Sequence, residues 1–246
     1  MTDLFAILHK YGLLLLMGSF PRGPLGGLAM TLLLSSLSLL LAFPFSVLLA
    51  LARCSDRQGL YRAATGWVYV IRGIPLIMLI FWVYFLVPLL IGHNISGFLT
   101  MLLTLVVYES AYISEIIRAG MRALPKGQQE AASSLGLGYL QTQLLVILPQ
   151  AIYNSVPSLV NQLVSIIKET SLGYVINVQE LTFAANQING QVLTRPLDIY
   201  LILALSYFLI CFALTRLAGW LESRVRRRRE QGRRDVTDAG MVGTSP

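Results

Sequence analysis

Five stretches of this chain stay apolar for about as long as a bilayer is thick: Leu28 to Ala52, Thr65 to Ile91, Gly97 to Ala119, Leu145 to Ile167 and Ile199 to Leu221. Each runs on the order of 20 residues or more of mostly Leu, Ile, Val, Ala and Phe, and a helix of that length crosses a hydrocarbon core of about 30 Å. Only a helix or a closed barrel satisfies its backbone polar groups in lipid, and runs this long fit the helix. The expected fold class is therefore all-α integral membrane, with about five transmembrane helices. Composition agrees, since 13% of the 246 residues are charged, against about 25% in soluble domains. The formal net charge of +7 could point to nucleic acid, but the basic residues sit beside the apolar spans and not along a soluble face. Cys54 lies in a basic loop and Cys211 inside a span, so neither a disulfide nor a metal-ligand cluster is expected.

The basic residues also orient the chain. Arg53, Arg57 and Arg62 follow the first span, Arg118, Arg122 and Lys126 follow the third, and Arg224 with Arg226 to Arg229 follow the fifth. The other side carries Lys10, Arg22, Lys168 and Arg195. Positive loops stay inside, which places the carboxyl terminus in the cytoplasm and the amino terminus outside. Residues 1 to 26 hold a short apolar run, Leu13 to Met17, halted by Phe20-Pro21-Arg22-Gly23-Pro24 before it could span, and read as an interfacial segment. A signal peptide is the rival reading, but Asp3 comes early, no basic residue precedes Lys10, and another long span follows at once. Residues 27 to 224 form the transmembrane domain. Residues 225 to 246 form a basic cytoplasmic tail, poor in apolar residues and expected to be disordered.

Between the third and fourth spans, residues 122 to 149 are neither lipid-like nor a simple turn. Pro125 suits a first helical turn, Gln128 to Leu135 are mostly good helix formers, and Gly136 is the residue type that closes a helix in the left-handed conformation. Composition alone reads this as an amphipathic connector. The order of residues says more. Glu130-Ala131-Ala132, three residues, Gly136, nine residues, then Val146-Ile147-Leu148-Pro149 resembles the EAA loop of ABC importer permeases, with Val146 standing where Ile is usual. That resemblance implies a coupling helix seated in a groove of an ATPase subunit, with Glu130, Ala131, Ala132 and Gly136 at the contact and Pro149 closing the motif.

A narrower resemblance, from about Leu28 to Arg226, is to permeases for polar amino acids such as histidine, glutamine, glutamate and arginine. It rests on Ile71-Arg72-Gly73-Ile74-Pro75-Leu76, Ser114-Glu115-Ile116-Ile117-Arg118-Ala119-Gly120 and Lys168-Glu169-Thr170-Ser171-Leu172. The resemblance implies a type I ABC importer permease fold in the inner membrane and a second permease subunit, identical or paralogous. It also implies two ATPase subunits and a periplasmic binding protein that delivers the amino acid. ATP and Mg would be bound on the ATPase, since the chain has no G-x-x-x-x-G-K-[ST] phosphate loop, and no cofactor is expected on the permease itself.

Polar groups within the spans are the other functional candidates, because ionisable residues in a membrane face a bundle interior or a watery path. Glu109 falls near the middle of the third span. Ser158, Asn161, Gln162, Ser165 and Glu169 recur at helical spacing on the fourth, and so share one face. This set is the candidate substrate path; the alternative is hydrogen-bonded glue between helices. Arg72 and Glu115 lie at similar depths, so an ion pair between them is geometrically possible, and Pro75 one turn on is a candidate hinge or an ordinary kink.

Two other function classes are disfavoured. A self-sufficient secondary transporter often shows paired internal repeats, and no span here has a second copy. A membrane enzyme would need a constellation such as H-E-x-x-H or G-x-S-x-G, and the histidines are His9 and His93 alone. No catalytic residue is assigned.

Overall fold

A computed structural model describes residues 2–242, with side chains from 7 to 225 and at 227. The described chain is almost wholly helical. In chain order the helices are α1 (Thr2–Met17), α2 (Gly27–Ala52), α3 (Gln58–Gly73), α4 (Leu76–Ile91), α5 (Gly97–Arg122) and α6 (Lys126–Ser134). They continue with α7 (Tyr139–Gln141), α8 (Leu148–Glu169), α9 (Leu181–Val192) and α10 (Pro196–Val242). A π-helical stretch, Thr142–Ile147, joins α7 to α8, and a 3-10 turn, Thr170–Ile176, extends α8 at its far end.

Among the described residues four helical segments are long and apolar enough to span a membrane: Gly27–Ala52, Gly97–Arg122, Tyr139–Ile176 and Pro196–Val225. The fifth expected span is broken. α3 and α4 meet at 99°, so Pro75 does not kink a continuous helix but separates two. The cause is local: Pro75 has no N–H to donate, and its ring drives Ile74 out of the helical region to φ −99°, ψ 131°. α3 also begins at Gln58, well before Thr65 where the span was drawn, because Gln58, Arg62 and the exposed Trp67 and Tyr69 make it an amphipathic helix.

The centre of the fold is the pairing of α2 with α5. Burying leucine against leucine gains little when lipid is the alternative, so membrane helices are held by close packing and hydrogen bonds. α2 supplies a seam of small residues, Thr31, Ser35, Ser38, Ala42, Ser46 and Ala50, all buried. Into it pack larger residues of α5, including Met101, Leu105, Ile113 and Ile117. Several seam hydroxyls bond back to their own helix, as Ser46 does to the Ala42 carbonyl at 2.7 Å, which hides their polarity. α8 closes the bundle on α5, and Gly120 permits the approach, since a Cβ there would stand 3.0 Å from the Ala151 carbonyl oxygen.

A second apolar cluster joins α1, α9 and α10 through Ile7, Leu15, Leu181, Ile188, Ile199 and Ile202. The amino-terminal segment is thus a short helix docked on the bundle. α9 is anchored by buried Glu180, which caps it by accepting from the Thr182 and Phe183 amides at 2.7 and 2.8 Å and from the Tyr207 hydroxyl at 3.0 Å. α10 differs from expectation at its end, because it continues through the basic run to Val242. Arg, Glu and Gln are good helix formers, and a helix already nucleated by a span extends without paying for a new nucleus. The last four residues of the expected disordered tail, 243 to 246, lie outside the described residues.

Candidate functional site

The loop between α5 and α8 forms a short helix at one end of the bundle. α6 starts directly after Pro125 and stops at Ser134. Its termination has a clear local cause. Gly136 sits at φ +80°, the Leu137 amide donates to the Ala132 carbonyl at 3.2 Å and the Gly136 amide to that of Ser133 at 3.0 Å. These two bonds are the paired closure that a left-handed glycine allows and that a side chain would strain. α6 has two faces. Ala132 is 4% exposed and turns inward, and Gln128, four residues before it, accepts from Gln150 Nε2 on α8 at 3.3 Å. Gly127, Ala131 and Leu135, at a spacing of four, lie outward and exposed with Glu130. Leu135 is 83% exposed.

Of the expected contact residues, then, Glu130, Ala131 and Gly136 are open to a partner, whereas Ala132 packs within the permease. Pro149 lies in the first turn of α8, directly after the π-helical stretch Thr142–Ile147 and inside the continuous helical segment Tyr139–Ile176. Leu135 was not among the expected contact residues. Its signal was there, a large apolar residue between Ser134 and Gly136 after a polar stretch.

The Arg72–Glu115 pair does not form. Glu115 instead accepts from Arg53 Nη1 at the end of α2, at 2.6 Å, and from both Arg118 Nε, at 3.1 Å, and Arg118 Nη2. Arg72 lies over the Tyr112 ring, 5.0 Å from its centroid. The reason is the break at Pro75: it is α2, not a straight second span, that runs beside the end of α5, and α3 crosses α5 nearer its middle. Tyr139 at the start of α7 adds a further tie, donating its hydroxyl to the Cys54 carbonyl.

The second cluster lies halfway along α5. Glu109 is wholly buried, and one carboxylate oxygen accepts from Gln162 Nε2 of α8 at 2.8 Å. Its other oxygen has no hydrogen-bond partner, nor has one oxygen of Glu169. The two carboxyls lie close to each other. α5 and α8 are antiparallel, and helical side chains lean toward their own amino terminus, so Glu109 and Glu169 lean toward each other from different depths. Tyr108 and Tyr112 stand beside them, hydroxyls 3.1 Å apart, and bring Arg72 to the same neighbourhood. Of the expected polar face of α8, Gln162 and Glu169 join this cluster. Ser165 is half-buried, and Ser158 and Asn161 lie exposed on the same helix. Tyr112 was missed by the sequence reading, because a tyrosine in an apolar span looks like bulk until its hydroxyl is placed.

Chemically, the cluster offers two carboxyls with unmet acceptors, an amide and two phenols within an apolar bundle, with the exposed Arg72 guanidinium over the Tyr112 ring. Such a group of donors and acceptors receives a small zwitterion or cation better than an apolar solute.

Comparison with known proteins extends the picture. Residues 42–227 match the family described as binding-protein-dependent transport system inner membrane component. The chain is 37% identical over 203 residues to the inner membrane amino-acid ABC transporter permease protein YhdY of Escherichia coli (strain K12), covering 81% of this chain and 55% of that protein. It therefore spans about half the length of that relative. It is also 37% identical over 200 residues to the probable glutamine ABC transporter permease protein GlnP of Bacillus subtilis (strain 168), covering 80% of this chain and 91% of that one. Among solved structures it resembles the crystal structure of an amino acid ABC transporter with histidines, at a TM-score of 0.72 and 35% identity over 80% of this chain and 92% of the other. The fold is that of type I ABC importer permeases.

Proposed function

Because the chain belongs to the family of binding-protein-dependent transport system inner membrane components, we propose that it is the permease subunit of an ATP-driven importer of polar L-amino acids. The relatives it resembles carry amino-acid transport in their names. The observation that carries the reading to this chain is Glu109, a mid-span carboxyl with an oxygen left without a partner in a buried polar cluster. An amino acid fits that cluster by charge: its ammonium toward Glu109 and Glu169, its carboxylate toward Arg72. Ser165 lies between Gln162 and Glu169, and Asn161 and Ser158 continue the same face of α8 toward the α6 end as a polar path.

Transport proceeds by alternating access. A periplasmic binding protein delivers the amino acid, and a second permease subunit completes the path. Two ATPase subunits bind ATP with Mg and receive α6 in a groove, where Leu135, Ala131 and Glu130 make the contact. The permease carries no ATP-hydrolysing site. The joint at Gly73 to Pro75 lets α4 move against α3 beside the substrate cluster, so Pro75 serves as a gate hinge. The amino terminus lies in the periplasm and α6 in the cytoplasm, the inner membrane lying between.

The test is reconstitution. The purified permease alone should hydrolyse no ATP, and with its ATPase and binding protein in proteoliposomes it should take up one or more radiolabelled L-amino acids only when ATP is enclosed. Uptake without ATP, or none with any of the twenty amino acids, would reject the reading.

A further inference from the structure

At the α6 end of the bundle the turn after α2, the end of α5 and the starts of α6 and α7 enclose a cavity of about 420 Å³. Arg53, Asp56, Tyr61, Arg122, Lys126 and Tyr139 line it. Its charge is unbalanced. Of the lining residues, Arg53, Arg122 and Lys126 stand against Asp56, and Arg53 shares the single carboxylate of Glu115 with Arg118. Arg53 is only 6% exposed, and its Nε lacks a hydrogen-bond partner. A nearly buried guanidinium with one N–H unmet and a shared counter-charge is costly unless its surroundings supply an anion.

We propose that this cavity is a binding site for a phosphate group, held by Arg53, Arg122 and Lys126. A phosphate offers several oxygens to the converging guanidinium and ammonium donors, whereas a single carboxylate would satisfy one fork. The cavity sits where the spans Gly27–Ala52 and Gly97–Arg122 end, the depth at which headgroup phosphates of anionic lipids lie and basic pockets between helices take them. Leu60 and Trp67, seven residues apart on α3 and about half exposed, give acyl chains an apolar face beside Tyr61. A phosphate bound there would link the end of α2, the end of α5 and the first residue of α6. Free inorganic phosphate shares this chemistry, and the experiment separates the two sources.

The full transporter is purified in detergent, stripped of lipid, and titrated separately with phosphatidylglycerol, phosphatidylcholine and inorganic phosphate, with occupancy read by native mass spectrometry. Arg122 and Lys126 are exposed, so the pair Arg122→Gln with Lys126→Gln leaves the fold intact; Arg62→Gln with Arg224→Gln is the control for basic residues outside the cavity. Phosphatidylglycerol affinity should fall about thirtyfold in the cavity variant and hold in the control. If inorganic phosphate binds and is lost in the same variant, the ligand is a soluble phosphate. Three results would overturn the proposal: cavity and control variants binding alike, phosphatidylcholine binding as tightly as phosphatidylglycerol with inorganic phosphate unbound, or binding by the isolated permease that vanishes in the assembled transporter, which would mean that the ATPase fills the cavity.

Discussion

Gln162 of α8 donates to the buried Glu109 carboxyl of α5 at 2.8 Å, and the carboxyl keeps one oxygen without a partner. One hydrogen bond thus ties two spans while the other half of the acceptor stays open. Side-chain hydrogen bonds between membrane helices contribute about 0.6 kcal/mol on average. Replacing Gln162 by Leu should accordingly lower the thermal midpoint of the detergent-solubilised permease only slightly. A much larger loss, found also in a double-mutant cycle with Glu109→Gln, would mark the pair as a structural tie.

The outward face of α6 should govern ATPase association. Leu135→Asp places a charge where an exposed leucine stands and alters no contact inside the permease, so the ATPase should fail to co-purify while the permease midpoint is unchanged. Glu130→Lys should weaken association in the same way. Gly136→Val adds about 1–2 kcal/mol of left-handed backbone strain and should loosen the end of α6. Normal recovery of the ATPase with all three variants would remove α6 from the contact.

Much of this fold was legible before any coordinates, and the reasons are specific. The spans at α2, α5, α8 and α10 were found because lipid demands unbroken apolar length, and α6 because Pro125 and Gly136 punctuate it. What escaped were relationships that depend on direction. Pro75 signalled a disturbance, but sequence cannot say whether a proline kinks a helix by a little or turns it through 99°. The wrong partner for Glu115 followed from that, since equal depth was read off a straight helix. The small-residue seam from Thr31 to Ala50 has a period that could have been counted, and it would have named α2 as the helix beside α5. Helical spacing puts the polar residues of α8 on one face, but which members meet Glu109 depends on helix rotation.

The ion network at the α6 end can be tested through its shared carboxylate. Glu115→Ala leaves Arg53, 6% exposed, without its counter-charge, and removing one partner of a buried pair costs about 3–5 kcal/mol at the upper end. Arg118, on the same helix as Glu115 and more exposed, should matter less, so Arg118→Ala should lower the midpoint by a smaller amount. Arg72→Gln combined with Glu115→Ala should be additive in stability. Coupling between those two would contradict the geometry.

Glu180 gives a pH dependence with a defined sign. Burial raises its pKa from 4.5 to about 7, outweighing the amide and Tyr207 bonds that favour the ionised form. The fold therefore favours the protonated carboxyl. Its contribution is full below about pH 4.5 and is lost as pH rises through about 7. The thermal midpoint should decline between pH 5 and 8, and Glu180→Gln should flatten that part of the profile. A wild-type midpoint rising over the same range, with the variant showing the same rise, would contradict the assignment.

The most direct test is ATP-driven amino-acid uptake by the reconstituted transporter carrying Glu109→Gln, measured beside the wild type at matched assembly. The amide keeps the shape of the side chain and an acceptor for Gln162 but loses the charge that receives an ammonium. Uptake should fall about tenfold or more, the magnitude of a charge-assisted hydrogen bond, while the subunits still assemble and melt near the wild-type temperature. Uptake at the wild-type rate would show that the cluster at Glu109 does not bind the transported molecule.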